Sequence, residues 1–320
     1  MSEDHRWMGA ALALASRGRG RTAPNPSVGC LIVAKGRVIG RGWTQPGGRP
    51  HAEAMALAEA GERARGATAY VTLEPCAHVS ARGPACTDLL IAAGVARIVA
   101  AMGDPDPRTN GSGFARARDA GIAVVEGVRE AEARGMIAGF LMRQAAGRPH
   151  VTLKLATSLD GCIAMADGRS RWITGPAARA HTHLERSRHE AILVGRGTLA
   201  ADAPRLDVRL AGLEARSPHR VLLSRTAEPG WEHVATPEDI AGLIGVDHLM
   251  VEGGAQAAAA FLRADLVDRL LLYRATILIG RGRAALGDIG LDDLAQAHGR
   301  WRLVDARALG SDRLEVYERG

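Results

Sequence analysis

Aromatic residues are scarce in this chain of 320 residues, and that scarcity limits the ligands it can recognise. Phe, Trp and Tyr together make up 3% of the sequence, so few rings are present to stack on the bases of single-stranded nucleic acid. No apolar run approaches the roughly 18 residues of a membrane span. The first residues, MSEDHRWMGA, are acidic where a secretory signal has a basic start. These absences predict a cytoplasmic protein with no nucleic-acid or membrane partner.

Cysteine is also rare, with four residues in the whole chain. Such a small number in a long chain of this type does not predict a disulfide framework. Cys30 and Cys162 lie in apolar or small-residue runs and are expected to be core thiols. Cys76 and Cys86 have no such surroundings, which leaves them as candidate metal ligands.

The net charge of +6 is unevenly distributed. Residues 1–147 contain 18 Arg and Lys against 13 Asp and Glu. A basic half of this kind is compatible with nucleic acid, with a small phosphorylated substrate, or with an ordinary solvated surface. The absence of a dense basic run favours the small phosphorylated substrate over nucleic acid.

Hydrophobic periodicity predicts an α/β protein in which sheets are covered by helices. The predicted helices are 7–17, 52–65, 87–93, 113–120, 130–144 and 255–264. The predicted strands are 29–33, 37–42, 69–73, 97–101, 123–126, 150–156, 191–194, 220–223, 249–251 and 270–275. Gly147-Arg148-Pro149 interrupts the pattern, which predicts two domains, 1–147 and 148–320.

His51-Ala-Glu53, Cys76 and Cys86 form the strongest motif in the first domain. A catalytic zinc site uses three protein ligands and keeps one position open for water, and His51, Cys76 and Cys86 supply three. Glu53 is then expected to be the catalytic proton shuttle beside a zinc-activated water, as in zinc deaminases. A closed structural zinc site with His78 as fourth ligand is the alternative.

These motifs resemble those of the bifunctional riboflavin-biosynthesis deaminase–reductases. The resemblance rests on Pro24-Asn25-Pro26-Ser27-Val28-Gly29, on His51-Ala-Glu53 and on Thr72-Leu73-Glu74-Pro75-Cys76. It continues after the break, through KLATSLDG at 154–161, WIT at 172–174 and VEGG at 251–254. Nine residues separate Cys76 from Cys86, where the family usually has eight.

The resemblance implies a cytidine-deaminase-like three-layer α/β/α domain followed by a dihydrofolate-reductase-like α/β domain. The first would be a zinc-dependent pyrimidine deaminase, with Asn25 contacting the pyrimidine, and the second an NADPH-dependent reductase. No GxGxxG motif follows a strand after residue 147, so a Rossmann domain is not supported.

Residues of the second domain take their roles from matching positions of the family. The implied NADPH contacts are Ala156, Trp172, Thr198, Asp202, Ser224, Gly254, Ala255, Gln256, Ala257, Ala258, Ala259 and Ala260. The implied substrate contacts are Ser170, Arg186, Leu206, Arg209 and Glu252. Lys154, one of only two lysines in the chain, is a second candidate for a role in the reaction beside Asp160.

The predicted function is hydrolytic deamination of a phosphoribosylaminopyrimidine, followed by NADPH reduction of its ribosyl group to ribityl, and we expect a homo-oligomer. One alternative is a tRNA-type deaminase acting on a nucleic-acid base. Another makes the C-terminal half a non-catalytic binding or dimerisation domain.

Overall fold

Residues 2–78 and 82–320 are described by a computed structural model, in which the chain divides into two units between Ala146 and Gly147. The first unit contains one five-stranded sheet, with strand order β2-β1-β3-β4-β5. Its strands are β1 Gly29–Ala34, β2 Arg37–Trp43, β3 Thr68–Val71, β4 Arg97–Ala100 and β5 Ala123–Val125. Its helices are α1 Glu3–Ala15, α2 Ala52–Ala60, α3 Cys86–Ala93, α4 Ser112–Asp119, α5 Glu130–Met136 and α6 Ala138–Ala146. β1 runs antiparallel to both β2 and β3, and β3, β4 and β5 are parallel.

Helices cover both faces of this sheet, which makes three layers. A side chain at Gly29 would reach within 2.0 Å of the Ala11 carbonyl oxygen in α1. Consecutive strand residues point to opposite faces, so Cys30 faces the other layer, where burial and the nearby Glu53 of α2 raise the pKa of its thiol. Glycines at 40 and 42 of β2 let α2 approach closely on that side.

Two predicted helices are shorter than the sequence pattern suggested. The helix predicted at 52–65 ends at Ala60, because Gly61 takes the left-handed φ of +57° and a 3₁₀ turn follows. The helix predicted at 130–144 is divided at Ile137 into α5 and α6. Gly135 and Gly139 flank this break, and glycine is a poor residue for a helix interior.

The second unit contains a mixed eight-stranded sheet, ordered β10-β9-β8-β11-β6-β12-β15-β14, and a separate pair β13-β7. Its strands are β6 His150–Thr157, β7 Cys162–Met165, β8 Ala191–Gly195, β9 His219–Leu223, β10 Glu232–Val234, β11 His248–Val251, β12 Arg269–Arg274, β13 Gly282–Ala284, β14 Trp301–Leu309 and β15 Asp312–Arg319. Its helices are α7 Pro176–Arg186, α8 Arg196–Asp202 and α9 Ala255–Arg263.

The six strands from β10 to β12 in the sheet order are parallel. β15 runs antiparallel to β12, and the edge strand β14 runs antiparallel to β15. Parallel strands place their carboxyl ends at one edge of a sheet, which is where ligands bind in open α/β sheets. The residues that follow β8, β9 and β11 therefore lie along the same edge as the end of β6. This edge carries most of the residues implied for the second domain.

Several elements of this unit were not predicted, and α7 shows why. Its buried residues are Ala178, Thr182 and Glu185, so the face that packs inward carries no large apolar side chain. β14 is mostly exposed and lacks the apolar alternation of a half-buried strand. Apolar periodicity cannot detect elements of either kind.

Among the described residues, no helix is both long and apolar enough to cross a membrane.

Candidate active sites

The ligand atoms of His51, Cys76 and Cys86 all lie within 4.8 Å of one another. His51 Nδ1 is 3.3 Å from Cys86 Sγ and 3.6 Å from Cys76 Sγ. Zinc bonds of about 2.1 Å to nitrogen and 2.3 Å to sulfur, at tetrahedral angles, would separate such atoms by about 3.6 Å. The three side chains therefore have both the chemistry and the spacing of a zinc site.

Two helix starts and one loop hold these ligands. His51 is the N-cap of α2 and Cys86 is the first residue of α3, while Cys76 lies in the loop after β3. The Cys86 amide donates to Cys76 Sγ over 3.3 Å, as an amide at a helix start can do for an anion. The hydrogen bond from the Cys86 thiol lowers the pKa of Cys76 well below its usual range. Cys76 is thus prepared to bind a metal as a thiolate.

Glu53 lies in the first turn of α2, buried beside the ligand cluster. Burial raises the pKa of Glu53 to about 7. A carboxyl group with this pKa can accept and release a proton near neutral pH. The side chain therefore suits proton transfer better than a permanent ion pair.

The Asn25 amide lies against the far side of the His51 ring. Asn25 Nδ2 is 2.8 Å from His51 Nε2 and donates to the Gly48 carbonyl over 3.1 Å. These contacts place the Asn25 side chain directly beside the proposed metal ligand. Prolines on both sides restrict the backbone that carries it.

Glu74 belongs to the Thr72–Cys76 motif, but the motif alone predicts no role for this residue. Its buried carboxylate accepts hydrogen bonds from four backbone amides, those of Asp104, Gly111, Gly113 and Phe114. Glu74 thereby connects the segment that carries Cys76 to the loop before α4 and to the first turn of α4. The only sign of this role in the sequence is the position of the Glu74 carboxylate next to Pro75-Cys76. The amides that bind it could not be identified from the sequence, because they lie more than 25 residues away.

His78 does not join the ligand cluster. Its Nδ1 atom is 3.3 Å from Thr109 Oγ1, and within the described part of the chain the cluster consists of His51, Cys76 and Cys86. The closed four-ligand alternative is therefore not supported. The longer segment between the cysteines does not separate their thiols, although its residues 79–81 lie outside the described residues.

A pocket opens over the ligand cluster. It is lined by Arg49, Pro50, His51, Ala54, Arg82, Gly83, Pro84, Cys86 and Leu89. Two metal-site residues form part of its wall, and most of the remainder is apolar. Such a pocket suits a small heterocycle with a charged extension.

In the second unit, two candidate residues, Arg186 and Lys154, converge on the carboxylate of a third, Glu252. Arg186 Nε and Nη2 donate to Glu252 Oε1 and Oε2 over 2.6 and 2.9 Å, and Lys154 Nζ lies 3.5 Å from Oε2. Burial alone would raise the pKa of Glu252, but the charges of Arg186 and Lys154 lower it to about 2. Glu252 is therefore an anion at every physiological pH.

Candidate cofactor residues meet where β8 and β11 end. The Gly254 amide donates to Thr198 Oγ1 over 3.0 Å, and Gly254, the N-cap of α9, has no side chain that could cap the helix. Gly253 lies so close to α9 that a Cβ there would be 2.6 Å from the Ala257 Cβ. Ala257, Ala258 and Ala259 are themselves buried. Ala258 is fully buried, and its amide donates to the Gly254 carbonyl over 3.2 Å.

The other implied cofactor residues are distributed along the same unit. Ala156 is half-buried near the end of β6, and Ser224 follows β9, where its hydroxyl accepts from Arg196 over 3.1 Å. Trp172 is 65% exposed and stacks 4.9 Å from the Arg179 guanidinium. Asp202 ends α8, and its carbonyl accepts from Arg171.

The implied substrate residues outside the Glu252 cluster have varied surroundings. Leu206 is buried at a left-handed φ of +56°, and Ser170 is half-buried in a loop. Arg209 is exposed and donates to Asp207 Oδ1 over 2.9 Å. Arg186 also reaches this loop, donating to the Asp207 carbonyl over 3.0 Å.

Asp160 makes contacts that organise a turn. It accepts from the Ser158 hydroxyl over 2.5 Å and from the amides of Ile279 and Gly280. The Ser158 hydrogen bond and these amides lower the pKa of Asp160 to about 2. These bonds hold the loop at 277–280 against the turn after β6.

Comparison with known protein families gives a match for each of the two units. The cytidine and deoxycytidylate deaminase zinc-binding region matches residues 1–102, and the RibD C-terminal domain matches residues 149–238 and 238–314. Fold and site together define the class: a cytidine-deaminase-like unit with a His-Cys-Cys cluster, followed by a dihydrofolate-reductase-like unit.

Relatives over nearly the whole length define the family more closely. The chain is 40% identical to the riboflavin biosynthesis protein RibD of Escherichia coli, covering 97% of this chain and 98% of that protein. It is 39% identical to RibD of Mycobacterium tuberculosis, covering 96% and 95%. The chain belongs to the RibD family of bifunctional riboflavin biosynthesis enzymes, which carry a deaminase and a reductase domain.

Solved structures show the same relationship. Acinetobacter baumannii RibD, form 1, superposes with a TM-score of 0.88 at 36% identity, covering 99% of both chains. A diaminohydroxyphosphoribosylaminopyrimidine deaminase/5-amino-6-(5-phosphoribosylamino)uracil reductase from Thermotoga maritima gives a TM-score of 0.89 at 33% identity, also covering 99% of both. The predicted fold class of both halves is confirmed.

Proposed function

We propose that residues 1–147 deaminate a diaminohydroxyphosphoribosylaminopyrimidine and that residues 148–320 reduce the resulting 5-amino-6-(5-phosphoribosylamino)uracil with NADPH. The observation that carries the first step is the cluster of His51, Cys76 and Cys86 with Glu53 buried beside it. The family and the Thermotoga relative support the choice of substrates. Both steps act on one phosphorylated compound, which gives a reason for joining them in one chain.

Zinc fits the first site because one imidazole and two thiols are its preferred donors and because three ligands leave a position for water. When bound, zinc would acidify a water enough for attack on the pyrimidine at neutral pH. His51, Cys76 and Cys86 would hold the metal. Their hydrogen bonds, above all the one from the Cys86 amide to Cys76 Sγ, orient the thiolates for this task.

Glu53 would move the protons of the deamination. It accepts a proton from the attacking water, delivers it to a ring nitrogen, and assists the departure of the exocyclic amino group as ammonia. Burial has already raised the pKa of Glu53 to about 7, which permits both directions of transfer. Asn25, whose amide lies beside His51, would contact and orient the pyrimidine.

NADPH fits the second unit because the uncapped start of α9 follows two glycines, as a phosphate-binding helix start requires. When bound, NADPH would supply the hydride for the anomeric carbon of the ribosyl group. We assign to it the contacts that the family implies: Ala156, Trp172, Thr198, Asp202, Ser224 and residues 254–260.

The chain's own residues would hold the ribosyl group for reduction. Arg186 fixes Glu252 through two hydrogen bonds, so the carboxylate can accept from a ribose hydroxyl in one defined orientation. Opening of the sugar requires a proton at the ring oxygen, and the Lys154 ammonium, which lies beside Glu252, would donate it. Ser170, Leu206 and Arg209 would complete the substrate contacts.

One assay tests both activities on the full chain. Ammonia release from the aminopyrimidine phosphate and NADPH oxidation on the deaminated product are measured on protein with quantified zinc. We expect about one zinc per chain, ammonia release without NADPH, and NADPH oxidation only with the deaminated compound. Ammonia release from an RNA adenosine or cytidine, but not from the pyrimidine, would contradict the proposal.

A further inference from the structure

His183 is a half-buried histidine of α7 that the proposed reaction does not use. It precedes Arg186 by three residues, so the two side chains lie on the same side of the helix. The charges of Arg186, Arg209 and Glu252 all act on the His183 imidazole. His183 therefore lies among three of the residues that are assigned to the substrate.

One ring nitrogen of His183 faces the loop that carries Leu206 and Arg209. Its Nδ1 atom is 3.0 Å from the Asp207 carbonyl oxygen and 3.3 Å from the Arg209 amide nitrogen. The tautomer with its proton on Nδ1 donates to that carbonyl, and the other neutral tautomer accepts from that amide. Nδ1 thus has a hydrogen-bond partner in this loop in either tautomer.

The surroundings of His183 keep its ring neutral. Burial lowers the pKa of His183, and the charges of Arg186 and Arg209 lower it further. The Asp207 carbonyl and the charge of Glu252 act in the opposite direction, but with smaller effects. The imidazole therefore adds no positive charge beside the two arginines at neutral pH, and its contribution to the site is a hydrogen bond.

The loop at 203–209 has a backbone that must be held in place. Ala203 and Leu206 take left-handed φ values of +41° and +56°. Residues other than glycine adopt such values at a cost, and the conformation persists only when contacts with the surrounding structure hold it. On one side of the loop, the Val208 amide donates to Ser217 Oγ over 2.9 Å.

Two side chains of α7 contact the loop on its other side. Arg186 Nη1 donates over 3.0 Å to the Asp207 carbonyl, the same oxygen that lies beside His183. Arg186 also binds Glu252 through its other two nitrogens. The loop contact of Arg186 is therefore coupled to the ion pair, whereas His183 can be replaced without removing either partner of that pair.

We propose that His183 is a positioning residue of the reductase, whose Nδ1 atom holds the loop at 203–209 in the conformation in which Leu206 and Arg209 contact the substrate. The inference rests on the proposed function, which assigns those two residues to the substrate. Loss of this hydrogen bond should weaken binding of the deaminated compound. Binding of NADPH and the rate of reduction in the bound state should change little.

Steady-state NADPH oxidation by the full chain tests the role of Nδ1. In His183→Leu we expect KM for the deaminated compound to rise about three- to tenfold, as one lost hydrogen bond produces, with kcat and KM for NADPH changed less than about twofold. Asn places its amide near the position of Nδ1, and Gln places its amide near that of Nε2. His183→Asn should therefore stay within about twofold of wild type, and His183→Gln should resemble His183→Leu.

His298→Leu, at an exposed histidine of the same unit, is the control and should change neither KM. Recovery by Gln but not by Asn would mean that Nε2 contacts the substrate directly, which would overturn the positioning role. An unchanged KM in His183→Leu would also overturn it, and so would a fall in kcat without a change in KM.

Hydrogen exchange of the Arg209 amide tests the same contact without catalysis or ligand. This amide lies against His183 Nδ1, and its exchange rate can be measured by NMR. We expect exchange to be at least about fivefold faster in His183→Leu and near wild type in His183→Asn, with unchanged rates for the amides of β8 and β11. Equal acceleration in those two strands would mean a general loss of stability and would overturn the proposal.

The two measurements separate this inference from the proposed function. Faster Arg209 exchange in His183→Leu, in a protein whose wild type does not oxidise NADPH on the deaminated compound, would refute the proposed function and keep the loop contact. Normal NADPH oxidation by wild type, with unchanged exchange and unchanged KM in His183→Leu, would do the reverse.

Discussion

Glu53 and Glu252 are both buried carboxyl groups at proposed active sites, yet their surroundings give them opposite properties. Glu53 is 4% exposed with no arginine or lysine hydrogen-bonded to it among the described residues, and burial raises its pKa to about 7. The Glu252 side chain is 7% exposed, but Arg186 and Lys154 lower its pKa to about 2. Burial favours the neutral acid, and adjacent cations reverse that preference. One site thereby holds a proton carrier, and the other a fixed anion.

The two sites also differ in how the chain assembles them. The metal ligands lie within one stretch from His51 to Cys86, on two helix starts and the loop between β3 and α3. The reductase cluster draws Lys154, Arg186 and Glu252 from β6, α7 and the end of β11. A local site can be recognised by its spacing, whereas the second depends on the order of strands in a sheet.

The largest effect is expected from removing a metal ligand. Cys86→Ala should lose zinc and all measurable ammonia release, because two ligands do not hold the metal. NADPH oxidation on the deaminated compound should remain near wild type, since the cluster lies wholly in the first unit. Metal analysis beside both assays checks this. Stoichiometric zinc in the variant would show that Cys86 is not a ligand.

Glu53→Gln should separate proton transfer from metal binding. We expect ammonia release to fall by about 10²–10⁴-fold, the usual contribution of general acid–base catalysis, with zinc retained. Glu59→Gln, at an exposed position of the same helix, is the control and should remain active. Normal deamination by Glu53→Gln would rule out the proton-carrier role. The difference in pKa between Glu53 and Glu252 would then have no consequence for catalysis.

Arg186→Gln should break the second site by leaving Glu252 buried with Lys154 alone. Removing one partner of a buried ion pair costs about 3 kcal/mol or more of unfolding free energy. Urea denaturation should therefore show a less stable second unit, and NADPH oxidation should be lost. Arg186→Gln combined with Glu252→Gln should recover much of the stability but not the activity. If the double variant is no more stable than Arg186→Gln, the ion pair is not the cause.

The smallest effect concerns acid stability. An unfolded glutamate titrates near about 4.3, while the pKa of Glu252 in the fold is about 2. Its stabilising contribution is thus complete above the unfolded value and declines as pH falls from about 4.3 toward 2. Hydrogen exchange of α7 and β11 peptides, corrected for intrinsic rates, should show the difference between wild type and Glu252→Gln shrinking over this range. A constant difference down to pH of about 3 would contradict the assignment.

Much of the fold was predictable where apolar residues carry it. The β1–β2 hairpin, the parallel strands β3, β4, β6, β8 and β11, and helix α9 were all predicted close to their observed bounds, because their cores are Val, Ile, Leu and Ala. α7 and β14 escaped prediction because α7 buries Thr182 and Glu185 and β14 is largely exposed. α7 nevertheless carries Arg186, and Gly175-Pro176 was its one available signal, since proline favours the first turn of a helix.

The sequence by itself determined the chemistry of the first site: the residue types and spacing of His51, Glu53, Cys76 and Cys86 point to zinc and a proton carrier before any coordinates exist. Only the tertiary structure decided the ionisation of the two glutamates, the pairing of Arg186 with Glu252, and the presence of Arg49 and Arg82 in the wall of one pocket. The physical reason is that ligand identity is a property of side chains, whereas burial and charge proximity arise when distant segments pack together.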